Sequence, residues 1–163
     1  MALRQTRSLP EDRLCQPWQF DEIFTVINPQ RCEYTALTIA LNDIQPTESF
    51  LIKDWVDEYL KNPDLLFSPT EPIILMKSRD PRFSYFTRSG DHQLYALCRA
   101  GVEQVTIAPF NQLLAELLVY PDNQLNLAKE TYDEGIISLE DFANRLVNEE
   151  EYYRLMTLRY LNN

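Results

Sequence analysis

Phe83-Ser84-Tyr85-Phe86-Thr87-Arg88, then Ser89-Gly90-Asp91-His92-Gln93, then Leu94-Tyr95-Ala96-Leu97-Cys98-Arg99-Ala100-Gly101, then Val102-Glu103-Gln104-Val105-Thr106-Ile107 form one unbroken stretch that ends near Pro109. The first run alternates aromatic and polar residues, the period of a half-buried strand. In the third, Leu94, Leu97, Cys98 and Gly101 stand at i, i+3, i+4 and i+7, one face of a helix. A second β-rich run follows at once. Gly90 therefore falls where a strand turns directly into a helix, and the first N–H groups of that helix have no partner within it. Such a terminus suits an anion.

The strand, the Gly-x-His turn, the helix with Leu and Ala on its buried face and the Val-bearing strand together resemble the ParB/sulfiredoxin superfamily. Its signature reads roughly Asp-Gly-x-His-Arg, and the resemblance implies that the Gly, His and Arg approach the phosphates of a bound nucleotide. Gly90 and His92 match it. Ser89 stands in place of the Asp, Asp91 takes the variable position, and Gln93 stands in place of the Arg. The candidate nucleotide or anion site implied is Arg88, Ser89, Gly90, Asp91, His92 and Gln93, with a nucleotide and magnesium as the expected cofactor if the site works.

Length and composition bound the answer. The 163 residues suit a single domain with an appended element. Hydrophobic residues make up 45% and charged residues 25%, with only 3 Gly, which argues against wholesale disorder. The net charge of −10 repels a phosphate backbone and makes nucleic acid an unfavoured partner. Cys15, Cys32 and Cys98 have no metal-ligand spacing and cannot all pair, so reduced thiols in a cytoplasmic protein are expected, with no metal site. No apolar run approaches the about 20 residues of a membrane span, so no membrane partner is expected.

Residues 1–34 read as an N-terminal arm, with Arg4, Arg7, Arg13, Pro10 and Pro17 and no lasting period. Within it, Phe20 to Ile27 is apolar enough for a short strand or helix. Residues 35–110 read as the α/β domain, a small mixed sheet. It starts with a strand over Thr35–Leu41 and a turn through Pro46. A helix capped by Ser49 follows, with Ile52, Trp55, Val56, Tyr59 and Leu60 on one face. Ile73-Ile74-Leu75-Met76 fits a central strand. Residues 111–163 read as a helical C-terminal extension. Leu113, Leu114, Leu117 and Leu118 form a stripe broken by Pro121. Ser138 caps a helix bearing Phe142, Leu146 and Val147, and a last helix holds Tyr153, Met156, Leu158 and Tyr160.

The turn Ile44-Gln45-Pro46-Thr47-Glu48 also resembles the entry segment of the free-serine kinase branch of that superfamily, in which a Glu just after such a Pro is catalytic. The resemblance places Glu48 there, with His92 as the second catalytic candidate. Against these stand plainer roles: Glu48 as a solvated helix-start residue, His92 as a partly buried ring fixed by its neighbours, and Asp91 as a helix cap. Asp91 would repel a phosphate at ~4 Å by roughly 4 kcal/mol in a surface-like dielectric, with Arg88 the nearest cation in sequence to offset it. Sulfiredoxin chemistry needs Cys where this chain has Asp91, which sets that activity aside. Three functions remain. The first is a degenerate, non-catalytic binding or regulatory module with a protein partner on the helical extension. The second is a nucleotide-dependent small-molecule kinase or nucleotide hydrolase using Glu48 and His92. The third, DNA partitioning or nuclease work, runs against the net charge.

Overall fold

A computed structural model describes residues 23–28, 36–110 and 121–161. Strands β1 (Ile23–Ile27) and β2 (Leu37–Ala40) come first, followed by the two-residue strands β3 (Ile44–Gln45) and β4 (Leu51–Ile52). Helix α1 (Lys53–Lys61) leads through a 3-10 turn to β5 (Ile74–Lys77). Then come β6 (Tyr85–Ser89), α2 (Asp91–Arg99), β7 (Gln104–Pro109) and α3 (Pro121–Asp133). A 3-10 turn, β8 (Leu146–Val147) and α4 (Glu149–Leu161) complete the described chain.

Six strands form one mixed sheet in the order β2-β7-β1-β5-β6-β3. All neighbours are antiparallel except β3 and β6, where Ile44 and Gln45 lie beside Tyr85 and Phe86 in parallel. The chain is thus a small α/β domain with a mixed sheet and a helical C-terminal part. The opening stretch forms the strand, helix and strand that its periods predict, but α2 is buried all round over Asp91–Leu97 rather than on one face. On β6, Phe86 and Thr87 are both buried but point to opposite faces, as adjacent strand residues must. On α2, Leu94, Tyr95, Ala96 and Leu97 enter the main core.

Strand β1 falls inside residues 1–34, in the Phe20–Ile27 run read as a short strand or helix. Its five residues pair with β5 on one side and β7 on the other, so part of the expected arm is a central strand. The reason is chemical: Ile23, Phe24 and Val26 are buried, and a strand flanked on both sides satisfies its backbone while burying such a run. The residues of the arm before Ile23, the start of the expected Thr35–Leu41 strand and the Leu113–Leu118 stripe lie outside the described residues.

The C-terminal part packs on the α/β core. Ile136, Leu139 and Phe142 are buried in the same core as Leu94 and Leu97, and Phe142 meets Tyr95 edge-on at 5.9 Å. Leu146 and Val147, expected on a helix, instead form β8, which pairs in parallel with Leu51 and Ile52 of β4. Their helix is replaced by a 3-10 turn, Leu139–Asn144, capped as expected by Ser138 in a reciprocal box with Asp141. Helix α3 is described from Pro121, and whether that proline breaks the preceding stripe lies outside the described residues. Ser49 does not cap α1. Its hydroxyl donates to Glu134 Oε1 at 3.0 Å, and α1 begins four residues later.

Candidate functional site

The expected phosphate-binding turn is built where β6 ends and α2 begins. Gly90 occupies it with φ +103°, a left-handed conformation that other residues adopt only at a cost. A Cβ at this position would stand 2.8 Å from Ile73 Cγ2 and 3.0 Å from Ile73 Cα. The space that glycine leaves open is therefore filled by β5's neighbour, Ile73, which is itself 1% exposed. A phosphate approaching this side of the turn would meet an isoleucine.

Asp91 is buried, and no side chain caps α2. The carboxylate turns away from its own helix and accepts the N–H groups of Thr47 (3.0 Å) and Glu48 (2.7 Å) on Oδ2. It is a bridge to the β3–β4 segment, and the expected helix cap is corrected accordingly. An N-cap interaction requires a side chain at the residue before the helix, and Gly90 has none. Thr87, bonded to Thr47 through their hydroxyls at 2.9 Å, stands beside the same carboxylate. Oδ1 is buried without a hydrogen-bond partner among the described residues. Burial pushes the Asp91 carboxyl up, against the opposing pull of Thr87, the two backbone N–H groups and the Arg159 charge.

His92 is buried between Trp55 and Tyr152, with ring centroids 5.0 and 5.9 Å away. Its Nε2 accepts the N–H of Ile52 at 2.9 Å. An imidazole that accepts on Nε2 while neutral carries its proton on Nδ1. Burial holds it down at about 4, so it is neutral at pH 7 and its accepting nitrogen is occupied. Gln93 is equally committed: its amide Nε2 donates to the Glu71 carbonyl at 2.7 Å. Ser89 Oγ donates to the Pro72 carbonyl at 3.0 Å, so both residues hold the 71–72 loop. Arg88 lies on the face of β6 opposite Thr87, and strand alternation directs it away from Asp91.

No family model, curated protein or solved structure matches this chain.

Glu48 is the one sequence candidate that the fold brings beside Asp91. Its side-chain Oε2 accepts the Tyr152 hydroxyl. Burial first, then the Asp91 charge, push the Glu48 carboxyl up to about 7, while Tyr152 and Arg159 pull it down. Burial, then Glu48, push the Tyr152 phenol above its ordinary range. Arg159 supplies the cation that Arg88 does not: Nη1 donates to the Thr47 carbonyl at 2.8 Å, and Nη2 to Thr131 Oγ1 at 3.0 Å. Glu48 and His92 are hydrogen-bonded to different partners. The histidine is bonded to β4, and the carboxylate to α4.

Tyr152 and Arg159 were not singled out by the sequence, although their i, i+7 spacing puts them on one face of the last helix. That spacing is visible in any helical reading of 149–161; what it contacts, more than a hundred residues earlier, is not. The remaining bonds on the same segment come from the same part of the chain. Gln45 Nε2 donates to the Ile136 carbonyl at 2.7 Å, and Arg145 Nη1 to the Ser49 carbonyl at 3.1 Å. Among the described residues, no three His, Cys, Asp or Glu side chains gather as metal ligands, and no helix is long and apolar enough to cross a membrane. The residues of the turn do not fit a nucleotide phosphate: Ile73 fills the glycine's open side, a buried carboxylate adjoins it, and the His and Gln side chains are used internally.

Proposed function

We propose that this chain is a ParB/sulfiredoxin-like domain with a degenerate nucleotide turn, and that it acts as a non-catalytic binding or regulatory module through protein–protein contacts. The observation that carries the reading is the Asp91 carboxylate accepting the Thr47 and Glu48 N–H groups, an internal anion seated beside Gly90 where the family resemblance implies an external one. Two charge-assisted hydrogen bonds contribute roughly 1.5–3 kcal/mol each, so a phosphate would have to displace a bound competitor that is part of the chain. Gln93 adds no positive charge to assist it.

The protein-binding part of the proposal rests on α4. Its inner face holds Tyr152, Met156 and Arg159 against the domain, while Tyr153, Leu158, Tyr160 and Leu161 remain 44–76% exposed on the outside. Apolar residues on both faces of a helix at the surface favour a partner for the outer one. The test is affinity capture from the native cell extract with the wild-type chain and a Tyr153→Ser, Tyr160→Ser variant of equal melting temperature. A partner retained by the first and lost by the second is expected. Catalytic turnover of a nucleotide by the purified chain would overturn the reading.

The rival reading, a nucleotide-dependent kinase or hydrolase, draws on Glu48, whose carboxyl near 7 is the right strength for proton transfer at neutral pH. Its oxygen is held by Tyr152 and its second catalytic candidate, His92, is bonded to Ile52, which favours the module.

A further inference from the structure

Beside α1, a cavity of about 340 Å³ is lined by Trp55, Glu58, Tyr59, Leu65, Ser68, Thr70 and Glu71. From these residues we infer that the cavity is a binding site for an organic cation, an alkylammonium or guanidinium head, held by the Trp55 and Tyr59 rings and the Glu58 and Glu71 carboxylates. The inference goes beyond the closed nucleotide turn and does not depend on it.

Three observations carry it. Trp55 is 40% exposed although its indole meets the buried His92 at a tilt, with centroids 5.0 Å apart, so this large rigid ring lines the cavity while remaining partly open to solvent. Aromatic faces attract cations through the ring quadrupole, most strongly for indole. Glu71 Oε2 accepts the Tyr59 hydroxyl at 3.2 Å and Glu58 Oε1 accepts Asn62 Nδ2 at 2.9 Å, which fixes both carboxylates while leaving the other oxygen of each to accept a further donor. Neither glutamate is in an ion pair among the described residues, whereas nearby Asp57 has Lys53 at 2.7 Å. The local field is negative enough to act on Tyr59, whose phenol is pushed up to about 12 by burial and then by Glu71. The volume suits a small head group with a short stem. A bare metal ion is poorly served by two carboxylates against apolar rings, and an anion would be repelled.

The cation can arrive free or on the Lys or Arg side chain of a peptide; the chemistry recognised is the same. The test follows Trp55 fluorescence in the full chain carrying Trp18→Phe, since Trp18 is the only other tryptophan. Butylammonium, guanidinium, a short Lys peptide and a short Arg peptide are titrated at constant ionic strength against sodium chloride. A saturable change with the organic cations and none with sodium is expected, and Glu71→Gln and Glu58→Gln should each weaken it at least threefold, with circular dichroism unchanged. Both glutamates are exposed, so neither variant threatens folding. Tighter binding of the peptides than of the free cations assigns the site to a protein partner, and the reverse to a small molecule. A linear response, one matched by sodium, or one indifferent to both glutamate variants would overturn the inference.

Discussion

Glu48 donates its backbone N–H to Asp91 Oδ2 at 2.7 Å while its own carboxyl turns to the Tyr152 hydroxyl on the last helix. One residue thus joins the two halves of the site. Its backbone is held by the turn at Gly90, and its side chain by α4. Two carboxyls are buried in the same small region, and only Arg159 among their charged neighbours opposes them.

This arrangement predicts a pH dependence of stability. The Glu48 carboxyl titrates near 7 in the folded chain, against about 4.5 when unfolded, because burial and Asp91 disfavour its charged form. The folded state therefore binds the proton more tightly. The stability this contributes is fully present below about pH 4.5 and is lost as pH rises through 7. On the order of 3 kcal/mol is at stake. Burial shifts Asp91 in the same direction. Urea denaturation between pH 5 and 8 should show wild type losing stability and Glu48→Gln losing distinctly less, so that the variant gains on wild type as pH rises. Parallel slopes for the two proteins would contradict the placement of Glu48.

Replacing Asp91 separates its hydrogen bonding from its charge. Asp91→Ala leaves the Thr47 and Glu48 N–H groups without their acceptor and should cost about 2–4 kcal/mol. Asp91→Asn keeps a carbonyl oxygen for them and removes the repulsion on Glu48, so it should cost less than half as much. It should also return the Glu48 titration toward the ordinary carboxylate range, which NMR of the Glu48 side chain would follow. Equal losses in the two variants would mean that the charge itself, not the acceptor, holds the segment.

Gly90 and Gly101 offer a matched comparison. Both have positive φ, +103° and +88°, but a Cβ at Gly101 meets nothing within 4 Å, while one at Gly90 enters Ile73. Gly101→Ala should cost roughly 1–2 kcal/mol for the left-handed backbone alone. Gly90→Ala should cost a further 1–3 kcal/mol, about the usual penalty of overpacking. Thermal unfolding of both variants measures the difference, and equal losses would show that Ile73 yields freely.

The central stretch was legible because its periods are local. Alternation through Phe86 and Thr87 and the i, i+3, i+4 pattern through Leu94 and Leu97 depend on neighbours a few residues away, and the described β6, α2 and β7 follow them closely. Other elements are fixed by residues far away in sequence. Ile23–Ile27 is an apolar run interrupted only by Thr25, and its place between β5 and β7 depends on partners some fifty to eighty residues later. Leu146 and Val147 join a strand only because Leu51 and Ile52 are there to pair with. The same holds for the site. Glu48, Gly90, Asp91, His92 and Gln93 were visible as a motif and a turn, and Glu48 does lie beside Asp91. What the motif could not reveal is that Ile73, Ile52 and Glu71 use up its free positions, or that Arg159 rather than Arg88 supplies the cation.

The closed turn is the centre of this account, and calorimetric titration of the wild-type chain with ATP, ADP and CTP in the presence of magnesium tests it most directly. No saturable heat up to millimolar nucleotide is predicted, and Gln93→Arg should not create binding, because that side chain's place is taken up in holding the Glu71 carbonyl. Saturable binding by wild type that is lost in His92→Ala and Asp91→Ala, with both variants still folded, would contradict it.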